Sequence, residues 1–269
     1  MKTFFVATKH PDYAHMTYPP GSTVIDPWRY IPDQEGVIVK RIGENKPELI
    51  SILCPTRERP NEFRRLVESV LSLATHERRV EIVAYHDEDD ISGYYGLPKV
   101  QWVFGPRIVL SEMWNECYRH SRGDILMHCG DDIVFRTPGW DEIVREAFAA
   151  SPDKILLVHG DDCSPNTDVL ATHGFLHRRW VETVGYFVPP YFSSDWNDVW
   201  LTEVADMIGR RVKVPIVTEH MHHSFGKAER DRNTNEREER GRADGVVEIF
   251  KEKRKERRAD AAKLKAVMA

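Results

Sequence analysis

Leu49-Ile50-Ser51-Ile52-Leu53-Cys54-Pro55-Thr56-Arg57-Glu58-Arg59-Pro60 is the stretch from which the rest of the chain is read. Residues 49–54 form a short apolar run stopped by Pro55, as a buried strand does. Pro60 suits the first position of a helix, where the N–H it lacks would have no partner. Phe63, Leu66, Val67, Val70, Leu71 and Ala74 then recur at helical spacing and give one apolar face. A buried strand followed at once by an amphipathic helix is the repeating half of an α/β layer.

The alternation continues outward from this unit. Apolar runs at 80–85, 100–104, 125–129 and 155–159 read as further strands. Ser111 is placed to cap a helix carrying Met113, Trp114, Cys117 and Tyr118, and residues 140–150 read as another helix. The expected fold class is α/β, a mostly parallel central sheet with helices on both faces. Open sheets of this kind bind ligands outside the carboxyl ends of their strands. Here those ends carry Thr56-Arg57, Asp87, Asp131-Asp132 behind Gly130, and Asp161-Asp162 behind Gly160. So many carboxylates at one edge repel each other unless a cation or hydrogen-bond donors neutralise them.

Beyond residue 170 the pattern changes. Residues 175–184 are short and mixed, and Pro189-Pro190-Tyr191-Phe192 is a stiff aromatic loop. Ser193-Ser194-Asp195 can cap a helix over 196–208, which Gly209 stops. A strand at 212–217 leads into Glu219-His220-Met221-His222-His223. From Lys227 the chain is dense in charge, and residues 249–265 read as a solvent-exposed, net basic helix. Residues 1–47 are irregular and rich in Pro and aromatic side chains, an N-terminal extension expected to pack on the main domain.

Composition limits the functions available. Of 269 residues, 41% are hydrophobic, enough for a full core, and 30% are charged. A formal net charge of −5 gives no overall basic field, so any nucleic-acid contact is local. Cys54, Cys117, Cys129 and Cys163 form no CxxC pair and read as reduced, buried thiols of a cytosolic protein. The apolar start is too short for a signal peptide and no run reaches membrane-spanning length, so a soluble, cytoplasmic protein is expected.

The segment from Ile52 to Asp132 resembles the nucleotide-binding half of inverting, family-2-like GT-A glycosyltransferases. Cys54-Pro55-Thr56-Arg57 is similar to the opening of that family, and Asp87 falls where its aspartate contacts the nucleobase. Asn115 stands eight residues before Gly123-Asp124, as in the family's Asn…Gly-Asp segment. One apolar strand then leads to the DxD position, where Gly130 replaces the first Asp and Asp131 and Asp132 follow. The last of the three is the family's usual metal ligand. The family's Glu-Asp pair opens a helix with Leu three and Gly eleven residues later. Asn197-Asp198, Leu201 and Gly209 keep that spacing.

The resemblance covers roughly residues 48–231 and leaves 232–269 as a charged helical tail. It implies Asp198 as the catalytic base, with Asp195 as the alternative. Asp132 and His220 would hold the metal, Mn²⁺ or Mg²⁺, with His222 as the alternate and Asp161-Asp162 as a competing pair. Pro55, Thr56, Arg57, Asp87, Arg107, Asn115, Asp131 and Lys227 would bind the nucleotide, with Arg230 near the diphosphate. The partner is a nucleotide-diphosphate sugar, UDP by default; the acceptor, whether glycan, protein, small molecule or modified nucleobase, stays open. Each assignment has a plainer reading: a turn aspartate for Asp132, a first-turn carboxylate for Asp198, a surface histidine for His220. Trp196, Trp200, Tyr191 and Phe192 form either an acceptor platform or core. A nucleotidyltransferase on a related fold is the competing enzyme, disfavoured by the absence of glycine at 57–60. A non-catalytic nucleotide-sugar or glycan-binding module is the competing non-enzyme.

Overall fold

A computed structural model describes residues 2–41, 47–94 and 96–268. The chain divides into two compact units, Met1–Pro47 and Glu48–Ala269. The first holds β1 (Thr3–Phe5), α1 (Pro11–Ala14), β2 (Thr23–Asp26) and β3 (Ile38–Arg41). Its strands make a parallel sheet in the order β1-β2-β3 around a small core of Val6, Tyr18, Val24 and Ile31. The buried Asp26 carboxylate organises the following turn by accepting the backbone N–H groups of Trp28, Arg29, Tyr30 and Ile31 at 2.7–2.9 Å. Burial alone would raise its pKa, but these four donors bring it below the usual value.

The second unit runs β4 (Ile50–Thr56), α2 (Pro60–Leu73), β5 (Val80–Asp87), β6 (Val100–Gly105), α3 (Leu110–His120), β7 (Ile125–His128), β8 (Ile133–Phe135), α4 (Trp140–Ala149) and β9 (Leu157–Asp161). It continues with β10 (Gly174–His177), α5 (Arg178–Val184), α6 (Asn197–Ile208), β11 (Arg211–His220), α7 (Arg232–Ala243), α8 (Val246–Glu252) and α9 (Arg254–Lys265). Eight strands form one sheet in the order β6-β5-β4-β7-β10-β9-β11-β8. β6, β5, β4 and β7 are mutually parallel, as are β9 and β11, whereas β10 and β8 run against their neighbours. This is the mostly parallel α/β sheet expected from the sequence.

Successive strand residues feed two different cores. Ile50, Ile52, Cys54, Ile82, Ala84, Ile125 and Met127 pack with α2 and α4. Leu53, Val83, Tyr85, Leu126, Leu157 and Leu176 pack with residues of α3, α5 and α6. Burial on both faces is why these strands read as continuous apolar runs rather than as alternation. The chain passes outward from β4 to β5 and β6, then returns through α3 to β7 on the other side of β4. That reversal leaves a crevice at the carboxyl ends of β4 and β7.

Several local expectations are corrected. Ser111 is not a cap: it lies inside the first turn of α3, and its hydroxyl donates to Phe192 O at 2.6 Å. Ser193-Ser194-Asp195 do not cap α6, which starts after Trp196 at φ +81° with no side-chain cap bond. Gly209 does stop that helix, at φ +66° where a side chain would be strained. The charged tail is not a lone solvated helix. It forms α7, α8 and α9, and α9 packs Ala261 and Leu264 into the second core against α5 and α6. Leu264 is fully buried, so Leu264→Ala should lower stability by about 2–5 kcal/mol. Urea unfolding measures this, and a solvated tail would show no change. Among the described residues no helix is long and apolar enough to cross a membrane.

Candidate active site

A cleft of about 670 Å³ opens at the carboxyl ends of β4, β5 and β7, a volume suited to a small-molecule ligand. The site residues singled out from the sequence line it, except Asn115, Lys227, Arg230, the Asp161-Asp162 pair, and three of the four aromatic platform candidates: Trp196 lines the cleft, whereas Trp200 and Phe192 are core and Tyr191 packs against them. Asn115 is buried structural glue. Its amide donates to Ser111 O and Val188 O, and its Oδ1 accepts from Phe187 N, which ties α3 to the 187–188 loop. Lys227 is held by Glu219 at 2.8 Å, and Arg230 by Asn235 and Glu238. Asp161 and Asp162 organise the turn after β9 by accepting Cys163 N and Ser164 N, and this turn leaves Cys163 exposed, unlike the buried Cys54, Cys117 and Cys129 and against the expectation for all four.

The floor of the cleft is the Gly130-Asp131-Asp132 turn after β7. Asp131 accepts Thr56 Oγ1 and Arg59 Nη1, both at 3.0 Å. Burial raises its pKa, and Arg59 opposes that shift. Asp132 goes the other way. Burial alone would raise its pKa, but a hydrogen bond to His220 at 3.3 Å, and the His220, His173 and Arg59 charges, hold it well below the usual range. Asp132, His173 and His220 each offer a ligand atom within 4.8 Å of the others, a donor set of one carboxylate and two imidazoles that fits a divalent transition ion. His222 lines the cleft beside them but is not in this cluster. Gly130 makes the arrangement possible: a Cβ there would sit 2.7 Å from Asp132 Oδ1 and 3.4 Å from His173 Cε1. Gly130→Ala should therefore displace the Asp132 carboxylate and lower the affinity that this candidate cluster offers a divalent cation at least about tenfold. Calorimetric titration with Mn²⁺ checks this, and unchanged affinity would show that Asp132 has room to move.

The N-terminus of α6 lines the same cleft. Asp198 lines the cleft and accepts Val199 N at 2.8 Å. Burial pushes its carboxyl up to about 6; the Val199 N–H opposes this and the Asp195 charge reinforces it. Asp195 lines the cleft too but is exposed and ion-paired to Arg237 at 2.8 Å. Asn197 is buried, and its Oδ1, 2.9 Å from the Ser111 hydroxyl, shares that one proton with Phe192 O, which anchors α6 to α3. At the far end of the cleft, Arg57 donates to Asp87 at 2.9 Å and to Asp89. Asp87 Oδ1 is buried with no hydrogen-bond partner among the described residues.

Helix α7 supplies a wall that the sequence did not suggest. Asn233, Thr234, Arg237, Glu238 and Arg240 face the cleft. Asp231, the α7 cap, takes Arg59 in a two-point contact at 2.6 and 2.9 Å, and Asn233 donates to Arg57 O at 2.6 Å. Arg107 lines the cleft and pairs with Glu236 of α7.

No protein-family model matches this sequence, and no curated protein matches it either. Solved structures do. One is the mannosyltransferase PcManGT from Pyrobaculum calidifontis in complex with GDP-Man and Mn²⁺: 14% identity, TM-score 0.51, 65% of this chain and 57% of that one. Another is TarS from S. aureus, residues 1–349: 11% identity, TM-score 0.50, 64% of this chain and 60% of that one. The similarity spans less than two thirds of either chain's length. At this identity the likeness speaks for the fold alone, and that fold is GT-A-like.

Proposed function

We propose that the protein is a metal-dependent glycosyltransferase that moves a sugar from a nucleoside diphosphate to an acceptor hydroxyl with inversion. The observation that carries this is one cleft in a GT-A-like fold holding both the Asp132–His220 pair and an Asp198 carboxylate outside any ion pair among the described residues. Asp132 and His220 would hold a divalent cation, which when bound supplies positive charge to the diphosphate oxygens. Mn²⁺ is the first choice, since the mannosyltransferase neighbour is described with GDP-Man and Mn²⁺.

The other roles follow from chemistry. Asp198 accepts the proton of the acceptor hydroxyl as that oxygen attacks the anomeric carbon. With a pKa of about 6 it is mostly ionised at neutral pH yet basic enough to take a proton. One-step displacement needs no enzyme nucleophile and inverts the centre. Arg240, Arg237 and Arg107 bring positive charge to the α7 side of the cleft for the departing diphosphate. Asp87 Oδ1, buried and without a hydrogen-bond partner among the described residues, is suited to accept an N–H of the base, with Arg57 fixing the carboxylate. UDP remains the default carrier. Pro55 and Thr56 border this end of the cleft, and Thr56 also steadies Asp131.

The test is a thermal-shift panel of nucleoside diphosphates with and without Mn²⁺. One nucleotide should raise the melting temperature only when the metal is present. If none does, the transferase assignment is lost and a protein that kept only the fold replaces it.

A further inference from the structure

We infer that His173 is a third protein ligand of the cation centre, and that the centre fills with Mn²⁺ in preference to Mg²⁺ before any nucleotide binds. This rests on the reading that Asp132 and His220 hold the cation. His173 immediately precedes β10 and is only 8% exposed, yet neither ring nitrogen has a hydrogen-bond partner among the described residues. Buried polar atoms are rarely left unsatisfied without a reason. Here the reason stands beside the ring: its ligand atom, one from Asp132 and one from His220 all lie within 4.8 Å of one another. Donors at about 2.1 Å from one ion sit about 3.0–3.4 Å apart at cis or tetrahedral angles, so a pair at the outer limit closes on an ion with a side-chain shift of about 1–2 Å, within reach of a rotation about the His173 side-chain bonds. The His173 and His220 rings meet edge to face with centroids 4.9 Å apart.

Two features support a built centre over a chance grouping. The bare Cα of Gly130 leaves the space in which Asp132 and His173 approach. His128, stacked on His173 at 6.1 Å and tilted against Trp114 at 4.0 Å, backs the His173 ring without joining the cluster. The donor chemistry then sets the preference. Mg²⁺ is hard, prefers oxygen, keeps several waters and relies on substrate phosphates for binding. Two imidazoles favour a softer ion. Three protein ligands also hold an ion without help from the diphosphate, so metal binding precedes and does not require nucleotide.

The experiment titrates Mn²⁺ into metal-stripped full-length protein without nucleotide, following free Mn²⁺ by its paramagnetic resonance signal. One ion should bind per chain, and a hundredfold excess of Mg²⁺ should not displace it. Pulsed measurements on bound Mn²⁺ should show coupling to two imidazole nitrogens. His173→Gln should weaken nucleotide-free binding at least about tenfold, since loss of even an outer partner of a ligand has effects of that size. His173→Asp should move the preference toward Mg²⁺. Binding that requires nucleotide, easy displacement by Mg²⁺, or a single nitrogen coupling overturns the inference. If Asp132→Asn weakens Mn²⁺ binding and His173→Gln does not, only the inference fails. If Asp132→Asn and His220→Ala leave it unchanged, the underlying site assignment fails as well.

Discussion

Asp198→Asn should abolish turnover, by roughly 10³- to 10⁴-fold, while nucleoside diphosphate still binds. Asparagine keeps the shape and can still accept the Val199 N–H, so only the proton-accepting function is removed. Asp195→Asn should have a much smaller effect, because Asp195 is exposed and already committed to Arg237. The pH profile supplies an independent check. With the Asp198 carboxyl at about 6, wild-type kcat/KM should fall about tenfold per unit below pH 6 and level off above pH 7. Any residual activity of the Asp198→Asn variant should lose that limb.

Stability should move in the opposite direction. The folded-state pKa lies above the unfolded value near 3.8, so the folded protein holds this proton more tightly. The resulting stabilisation is complete below about pH 4 and is lost as pH rises through about 6. At pH 7.5 the ionised carboxylate is therefore a burden of at most about 3 kcal/mol. Asp198→Asn should melt higher than wild type at pH 7.5 and equally at pH 4. A variant that loses nucleotide binding and melting temperature together would show Asp198 to be structural.

The sequence carried the fold because the central strands are buried on both faces. Ile50 through Cys54 and Val80 through Tyr85 are buried without interruption, and α2 places five buried side chains at helical spacing. β8 and β10 were not legible, since three and four residues beside polar turns give no period to detect. The site was half legible. Carboxylates at strand ends can be read in order along the chain, and Asp87, Asp131, Asp132 and Asp198 do meet in one cleft. His173, between Thr172 and Gly174, carries no local pattern. Arg59 gains its meaning from Asp231, 172 residues away. The tail departs from the solvated helix expected of it for a physical reason. Arg257 and Asp260 are charged yet nearly fully buried, Arg257 over the Trp200 ring at 5.2 Å and Asp260 accepting Trp200 Nε1 at 3.2 Å. A tally of charges gives such side chains to solvent, although their stems and partners lie in the core.

Arg240→Ala should lower kcat by roughly 10²- to 10³-fold, the usual effect of removing a group aimed at developing negative charge. Arg240 lines the cleft from α7, its Nε donates to Ser193 O at 3.1 Å, and among the described residues its guanidinium has no ion-pair partner. Arg57, Arg59, Arg107 and Arg237 each already face a carboxylate. Burial, and then the like charge of Arg107, push the Arg240 guanidinium below its usual pKa. A cation held against desolvation and repulsion becomes more comfortable when an anion arrives, and more so as charge builds on the leaving diphosphate. Turnover should therefore suffer more than diphosphate affinity. Arg240→Lys should recover only part of the loss, because an ammonium lacks the fork that reaches Ser193 O and an anion at once. Steady-state kinetics beside calorimetric titration of nucleoside diphosphate separate the two effects. Equal losses in affinity and kcat/KM with kcat unchanged would make Arg240 a ground-state anchor and move the leaving-group role to the metal-side residues alone.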